Sequence, residues 1–319
     1  MNPLKIGLLL AGLAIAQGAP AADVAFASLV QRLPAALPAN ATAAMQGQAA
    51  GAATAEALNK DLAAAQEDVT REQANRVMAG TGLAPGSDDM ATQQARMQAM
   101  AQQMQGMSQQ QQIAMAMQMQ QQIQANMGMQ AAIMNPAEQQ AMGALMQDPQ
   151  RTNEMTQSGF QLTQRAIALR QAADAKHAQI RAGLDKAIAA TQQLPTGSDA
   201  ACVAVARKQK DLTVAAANQH IAVSDQLLAQ LQPVYGEYRK RASDELQHMN
   251  LDVSLAAKVR NGAMQKQAAQ AVSTARMATL TATQLALEFY KQSFDEVRWV
   301  QDRDRAAAQV LPTGCGGEG

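Results

Sequence analysis

Aromatic side chains are scarce in this chain of 319 residues, which has four phenylalanines, three tyrosines and one tryptophan and none between Phe26 and Phe160. There is also no stretch of alternating valine, isoleucine and threonine that would read as a half-buried strand. Both absences argue against a conventional globular enzyme. Basic blocks are missing as well. The 26 acidic and 26 basic residues cancel to a formal charge of zero, so the electrostatic footprint of a nucleic-acid binder is not there. Only three histidines and two cysteines are present. No G-x-S-x-G, H-E-x-x-H, Walker A or G-x-G-x-x-G pattern can be found. What fills the chain is alanine, glutamine and methionine, which favour helix. The expected class is all-α.

Long apolar runs are equally absent past the N-terminus. There, "MNPLKIGLLLAGLAIAQGAPAADV" carries Lys5, then the apolar run Ile6–Ala16, then Ala19-Pro20-Ala21. A basic residue, a short apolar core and an A-x-A site form the pattern of a secretory signal peptide. Eleven apolar residues fall short of the roughly 20 needed to span a bilayer. The reading is cleavage after Ala21, leaving a mature chain without a transmembrane segment, periplasmic or secreted.

The remainder divides by composition into an Ala-rich segment (22–90), a Met/Gln-rich low-complexity segment (91–150), a charged and periodic body (151–310) and a Cys-containing tail (311–319). In the first, Leu58, Leu62, Val69 and Val77 fall on one face of a helix spanning about 53–79. The N-terminal half is therefore expected to be helical or partly disordered. In the body, Leu162, Ala166, Leu169, Ala173, His177, Ile180, Leu184 and Ala187 recur at steps of three and four. That is the stripe of a helix that needs a partner. Two further helical patterns run over about 199–249 and 252–309, with Pro233 expected to kink or divide the former. Short connections make sequential neighbours antiparallel, so the expectation is an elongated three-helix bundle or coiled coil. "LPTGSD" (194–199) ends the first helix, with Ser198 or Asp199 placed to cap the second.

Cys202 stands at the start of the second helix and Cys315 just beyond the third, at the same end of an up-down-up bundle. An oxidising compartment permits a disulfide between them. Closing a loop of about 110 residues stabilises by nearly 5 kcal/mol in the chain-entropy model. "LPTG" occurs at 194–197 and 311–314; proline and glycine there act as helix terminators.

The methionines concentrate in residues 97–129, which hold nine of them beside thirteen glutamines and no charge. On a helix, Met97, Met100, Met104 and Met107 form a stripe, with Met115 and Met119 near the same face. Three readings stand. The stripe packs or oligomerises, as methionine at helical spacing ordinarily does. Its thioethers gather copper(I) or silver(I), which soft ligands select. Or the tract is mostly disordered. No histidine, cysteine or carboxylate lies between Met97 and Ala137 to strengthen a metal site, which favours packing.

His177 lies on the apolar stripe and reads as an interior histidine. His220 and His248 are 28 residues apart on one helix, roughly 42 Å, and cannot share a site within it. His248-Met249 alone is an incomplete soft-metal pair. Phe289, Tyr290, Phe294 and Trp299 are the densest aromatic group, packing the bundle end or anchoring a partner. The functional expectation is a non-enzymatic, exported structural or interaction component of the cell envelope. It would bind other envelope proteins or itself through helix faces and would not bind nucleic acid. A leader followed by an elongated helical body is loosely similar to pilus-associated periplasmic parts of secretion or conjugation assemblies. A methionine-rich Cu(I)/Ag(I)-binding periplasmic protein is the alternative.

Overall fold

The computed structural model describes residues 21–81, 135–146, 148–194, 198–260 and 262–313, and among them there are helices and no strand. In chain order these are α1 (Ala21–Gln31), α2 (Ala41–Thr81), α3 (Pro136–Leu145), α4 (Asp148–Thr191), α5 (Asp199–Ala256), α6 (Gly262–Gln292), a 3₁₀ turn (Ser293–Glu296) and α7 (Val297–Ala308). The all-α class is therefore correct. No helix among the described residues is long and apolar enough to cross a membrane.

α5, with 58 residues and a length near 87 Å at ~1.5 Å per residue, is the spine. α4 packs along one side of it and α6 along another. Cross-helix pairs show both neighbours to be antiparallel to α5. Thr163 shares a 2.9 Å hydrogen bond with Tyr238, and Lys176 donates to Gln226 at 2.8 Å. On the other side, Phe289 lies against Tyr238, and Lys210 donates to the Gln309 carbonyl at 2.9 Å.

The arrangement differs from a closed three-helix bundle. α4 and α6 do not pack along each other, and the other long partner of α6 is α2, from the Ala-rich segment. Leu58, Leu62 and Val69 of α2 are buried as the spacing predicts, and they share one core with Leu227, Leu231, Tyr235, Leu280 and Leu287. The side chain of Val77 lies outside the described residues. Ala275, Ala282 and Ala286 of α6 are buried in the same core, and such small side chains let neighbouring helix axes approach. Gly51 of α2 makes room for the Phe294 ring of the 3₁₀ turn, which a Cβ there would overlap. Glu72 then accepts from the buried Arg276 at 2.7 Å, and Gln73 donates to Ser273 at 2.7 Å, so α2 runs antiparallel to α6.

α1 and the following loop cross α5, burying Phe26, Leu29, Leu33 and Leu37. Pro34 and Pro38 keep the loop out of a helix, which leaves backbone groups that need partners. Side chains of α5 supply them. Tyr235 donates to the Pro34 carbonyl (2.7 Å), Arg239 to that of Ala35 (2.8 Å), while Gln232 accepts from Leu37 N–H (3.0 Å) and Asp225 from Ala41 N–H (2.7 Å).

Helix boundaries depart from the expected ones in several places. α2 starts at Ala41 rather than near 53. α5 continues through Pro233 undivided and ends at Ala256 rather than near 249. The third helix starts only at Gly262, after a turn. It is then interrupted by the 3₁₀ turn Ser293–Glu296 before α7. Ser198 is the N-cap of α5, accepting from Ala201 N–H at 3.3 Å. α3 begins with a capping box between Asn135 and Glu138, and Glu138 also accepts from Arg260 N–H at 2.8 Å. That bond, with Met142 and Leu145 packed on Val259 and Met264, fixes α3 to the pole where α5 turns into α6.

Candidate functional site

A group of buried polar side chains lies where α4, α5 and α7 meet. His177 reaches in from α4, His220 from α5 and Trp299 from α7; they are 4%, 5% and 7% exposed, so solvent scarcely touches any of them. The two imidazoles face each other with Nδ1 atoms 2.7 Å apart, a hydrogen bond. Both stack on the indole of Trp299, with centroids 3.8 Å away for His220 and 4.6 Å for His177. The Arg298 guanidinium lies 4.7 Å from the same indole centroid, a cation–π distance. Behind His177, Glu296 of the 3₁₀ turn accepts a 2.5 Å hydrogen bond from the buried Ser224 hydroxyl. Its Oε2 is 3.9 Å from His177 Nε2.

A hydrogen bond between two Nδ1 atoms requires one proton between them, so neither ring can be doubly protonated with the bond intact in its neutral form. The Glu296 carboxylate near Nε2 of His177 favours the tautomer protonated there. His177 then accepts at Nδ1 from His220. The electrostatics keep the pair neutral. Burial lowers the His177 pKa, Arg298 and Arg181 add to that, and Asp174 opposes it. Burial, the neighbouring His177, Arg181 and Arg298 push His220 down to about 4, against Asp302. Burial dominates because an imidazolium loses its hydration inside the protein.

Beside His220 and Trp299 opens a cleft of about 630 Å³. Arg181 and Leu184 of α4, Thr213 of α5 and Arg305 and Ala306 of α7 line it. Arg305 is matched there by Asp302, to which it donates at 3.2 Å. The one hydroxyl bonded to a carboxylate in the cluster, Ser224 to Glu296, is wholly buried and out of reach of solvent. The two facing nitrogens are also closer than the roughly 3.3 Å separating two ligands of a tetrahedral ion with bonds near 2.05 Å. No group of three or more His, Cys, Asp or Glu side chains able to hold a metal occurs among the described residues.

The residues singled out from sequence are placed as follows. Met97, Met100, Met104, Met107, Met115 and Met119 lie outside the described residues, as does Cys315. Cys202 is half-buried in the first turn of α5. Phe289 is buried against Tyr235 and Tyr238, and Trp299 against the histidines. Tyr290 and Phe294 are half-buried and meet edge to face at 5.2 Å. These aromatics form two separate packing groups rather than one cluster. His248 sits 3.3 Å from the buried Asp252 and Met249 is wholly buried, so that adjacent pair does not converge on a common point.

The partnership of His177 with His220 and Trp299 was not found by scanning each helix alone. The signal was available in the spacing about the turns. Residue 177 stands 17 residues before Leu194 and residue 220 stands 22 after Ser198, while residues 220 and 299 are nearly equally far from the α5–α6 connection. Antiparallel folding about both turns brings all three to one level. No protein-family model, curated protein or solved structure matches this chain.

Proposed function

We propose that this chain is an exported, non-enzymatic helical component of the cell envelope that works by docking to other envelope proteins or to copies of itself. One observation carries the reading. The described helices that flank the Met/Gln-rich segment, α2 before it and α3 after it, meet the body at a single pole. α2 pairs Gln73 with Ser273, so its end at Thr81 stands about opposite residue 265 of α6, eight residues and roughly 12 Å further along. α3, where the chain comes back, packs on Val259 and Met264. Both flanks of residues 82–134 thus lie near the α5–α6 pole, and the methionines between them would offer a partner an adaptable apolar surface. A part of a secretion or conjugation apparatus is one concrete form of this role.

The features expected of an exported chain agree with it. The described core starts at Phe26, so cleavage after Ala21 removes no residue of that core. At the opposite pole, the Lys210–Gln309 hydrogen bond sets the first turns of α5 beside the chain's end. Cys202 precedes Lys210 by eight residues and Cys315 follows Gln309 by six. A Cys202–Cys315 disulfide would close this pole and leave the other for docking.

The test replaces residues 97–129 of the mature chain with a glycine-serine linker of equal length and compares cross-linked products with those of the unchanged protein. Loss of discrete complexes, with helicity and Trp299 fluorescence retained, supports the reading. Unchanged complexes would move the docking surface elsewhere.

A further inference from the structure

The histidine pair is one of the polar contacts that join α4 to α5, beside Thr163–Tyr238, Lys176–Gln226 and Gln209–Thr191. Among the described side chains of α4, those fully buried are Ala166, Ala173, His177 and Thr191, with Leu162, Leu169, Ile180, Leu184 and Ile188 half-buried. Two alanine methyls bury little apolar area, so this helix gains less from the hydrophobic effect than α6 does with Leu280, Leu287 and Phe289. α4 also packs principally on α5, whereas α6 is held by both α5 and α2. Its deepest polar anchor is the 2.7 Å bond to His220 under Trp299.

We propose that the His177–His220 pair is an acid-sensitive latch whose protonation releases α4 from α5 and α7 while α2, α5 and α6 remain packed. The geometry sets the mechanism. One added proton leaves a single hydrogen between the two Nδ1 atoms and a positive charge in the interior. A second places a hydrogen on each facing nitrogen, so the bond is lost and two cations confront each other. The groups around the pair decide how readily this happens. Asp174 and Arg181 face it from α4, Glu296 from the 3₁₀ turn, and Arg298 and Asp302 from α7. At the adjoining contact α2 brings only Ala41 and the half-buried Met45 against Trp299, Val300 and Ile221. The carboxylates favour the first proton, and the arginines and burial oppose it. Release uncovers the apolar stripe of α4 and the facing surface of α5. Its use in the cell rests on the export reading, because an exported chain meets the pH of its surroundings. The latch itself is a property of the purified protein and is tested there.

Hydrogen exchange of the mature chain, corrected for the pH dependence of intrinsic rates, separates local release from general unfolding. Between pH 7 and pH 4, protection of α4 amides over 162–188 is expected to fall by about 100-fold or more, with α6 and the core part of α2 unchanged. The double variant H177Q/H220Q, which replaces the rings with amides that do not titrate, is expected to remove that dependence. Protection of α4 that persists at pH 4 would overturn the proposal. So would simultaneous loss of protection in α4 and α6, which is general acid unfolding. If the double variant fails to fold, the wild-type exchange pattern alone decides between these outcomes.

Discussion

His177 on α4 and His220 on α5 are joined Nδ1 to Nδ1 at 2.7 Å, and Trp299 of α7 closes over both rings. Three helices far apart in sequence meet at this contact, and its hydrogen bond requires that at least one of the two imidazoles be neutral.

Stability should consequently depend on pH in a definite direction. Both histidines are held below the ordinary value of 6.5, His220 at about 4. Below pH 6.5 the unfolded chain therefore binds protons that the folded chain refuses. The histidine contribution is complete above about pH 6.5 and is lost as pH falls toward 4. Urea midpoints measured from pH 7.5 to 4.5 should decline through that window, and His220→Gln should flatten the decline.

Removing one ring tests the pair at neutral pH. His177→Ala strands the Nδ1 proton of His220 in the interior and leaves a cavity against Trp299, at an expected cost of about 2–3 kcal/mol. His177→Gln retains a polar partner and should cost less. Chemical denaturation followed by Trp299 fluorescence, the single tryptophan of the chain, reads both.

α2 belongs to the same core as α5 and α6, and Leu58 is 0% exposed within it. Leu58→Ala should therefore destabilise the whole body by about 2–5 kcal/mol. A cost near zero would mean that α2 is not docked in solution.

These contacts differ in how far the sequence announced them. The α4 stripe, the helix face with Leu58, Leu62 and Val69, and the Ser198 cap were legible because apolar period and capping chemistry are local. The docking of α2 on α6 was not. Its core includes Ala55, Ala275, Ala282 and Ala286 beside the leucines, and alanine is spread throughout this chain without contrast between faces. In α6, Leu285 is 42% exposed, while Thr279 and Thr283 are buried with their hydroxyls bonded back to carbonyls one turn earlier. Hydrophobicity alone inverts those assignments. The histidine site required relating three helices across two turns, which periodicity within one helix does not supply.

The proposed Cys202–Cys315 disulfide makes its own prediction. Thiol titration of the unfolded, unreduced chain should find no free cysteine and two after reduction. Reduction should lower stability by about 2–5 kcal/mol. Two reactive thiols before reduction would remove the staple from the account.

The central claim is that the Met/Gln-rich segment presents a docking surface at one pole of an exported protein. The most direct test places a photo-cross-linking residue at Met107, and separately at the exposed Lys186 of α4 as control, in the cells that encode the chain. The account predicts a processed protein in the envelope fraction whose Met107 position yields a discrete cross-linked species, a second copy or an envelope protein, while Lys186 yields none. An unprocessed chain in the cytosol, or a Met107 position that cross-links to nothing above background, would contradict it.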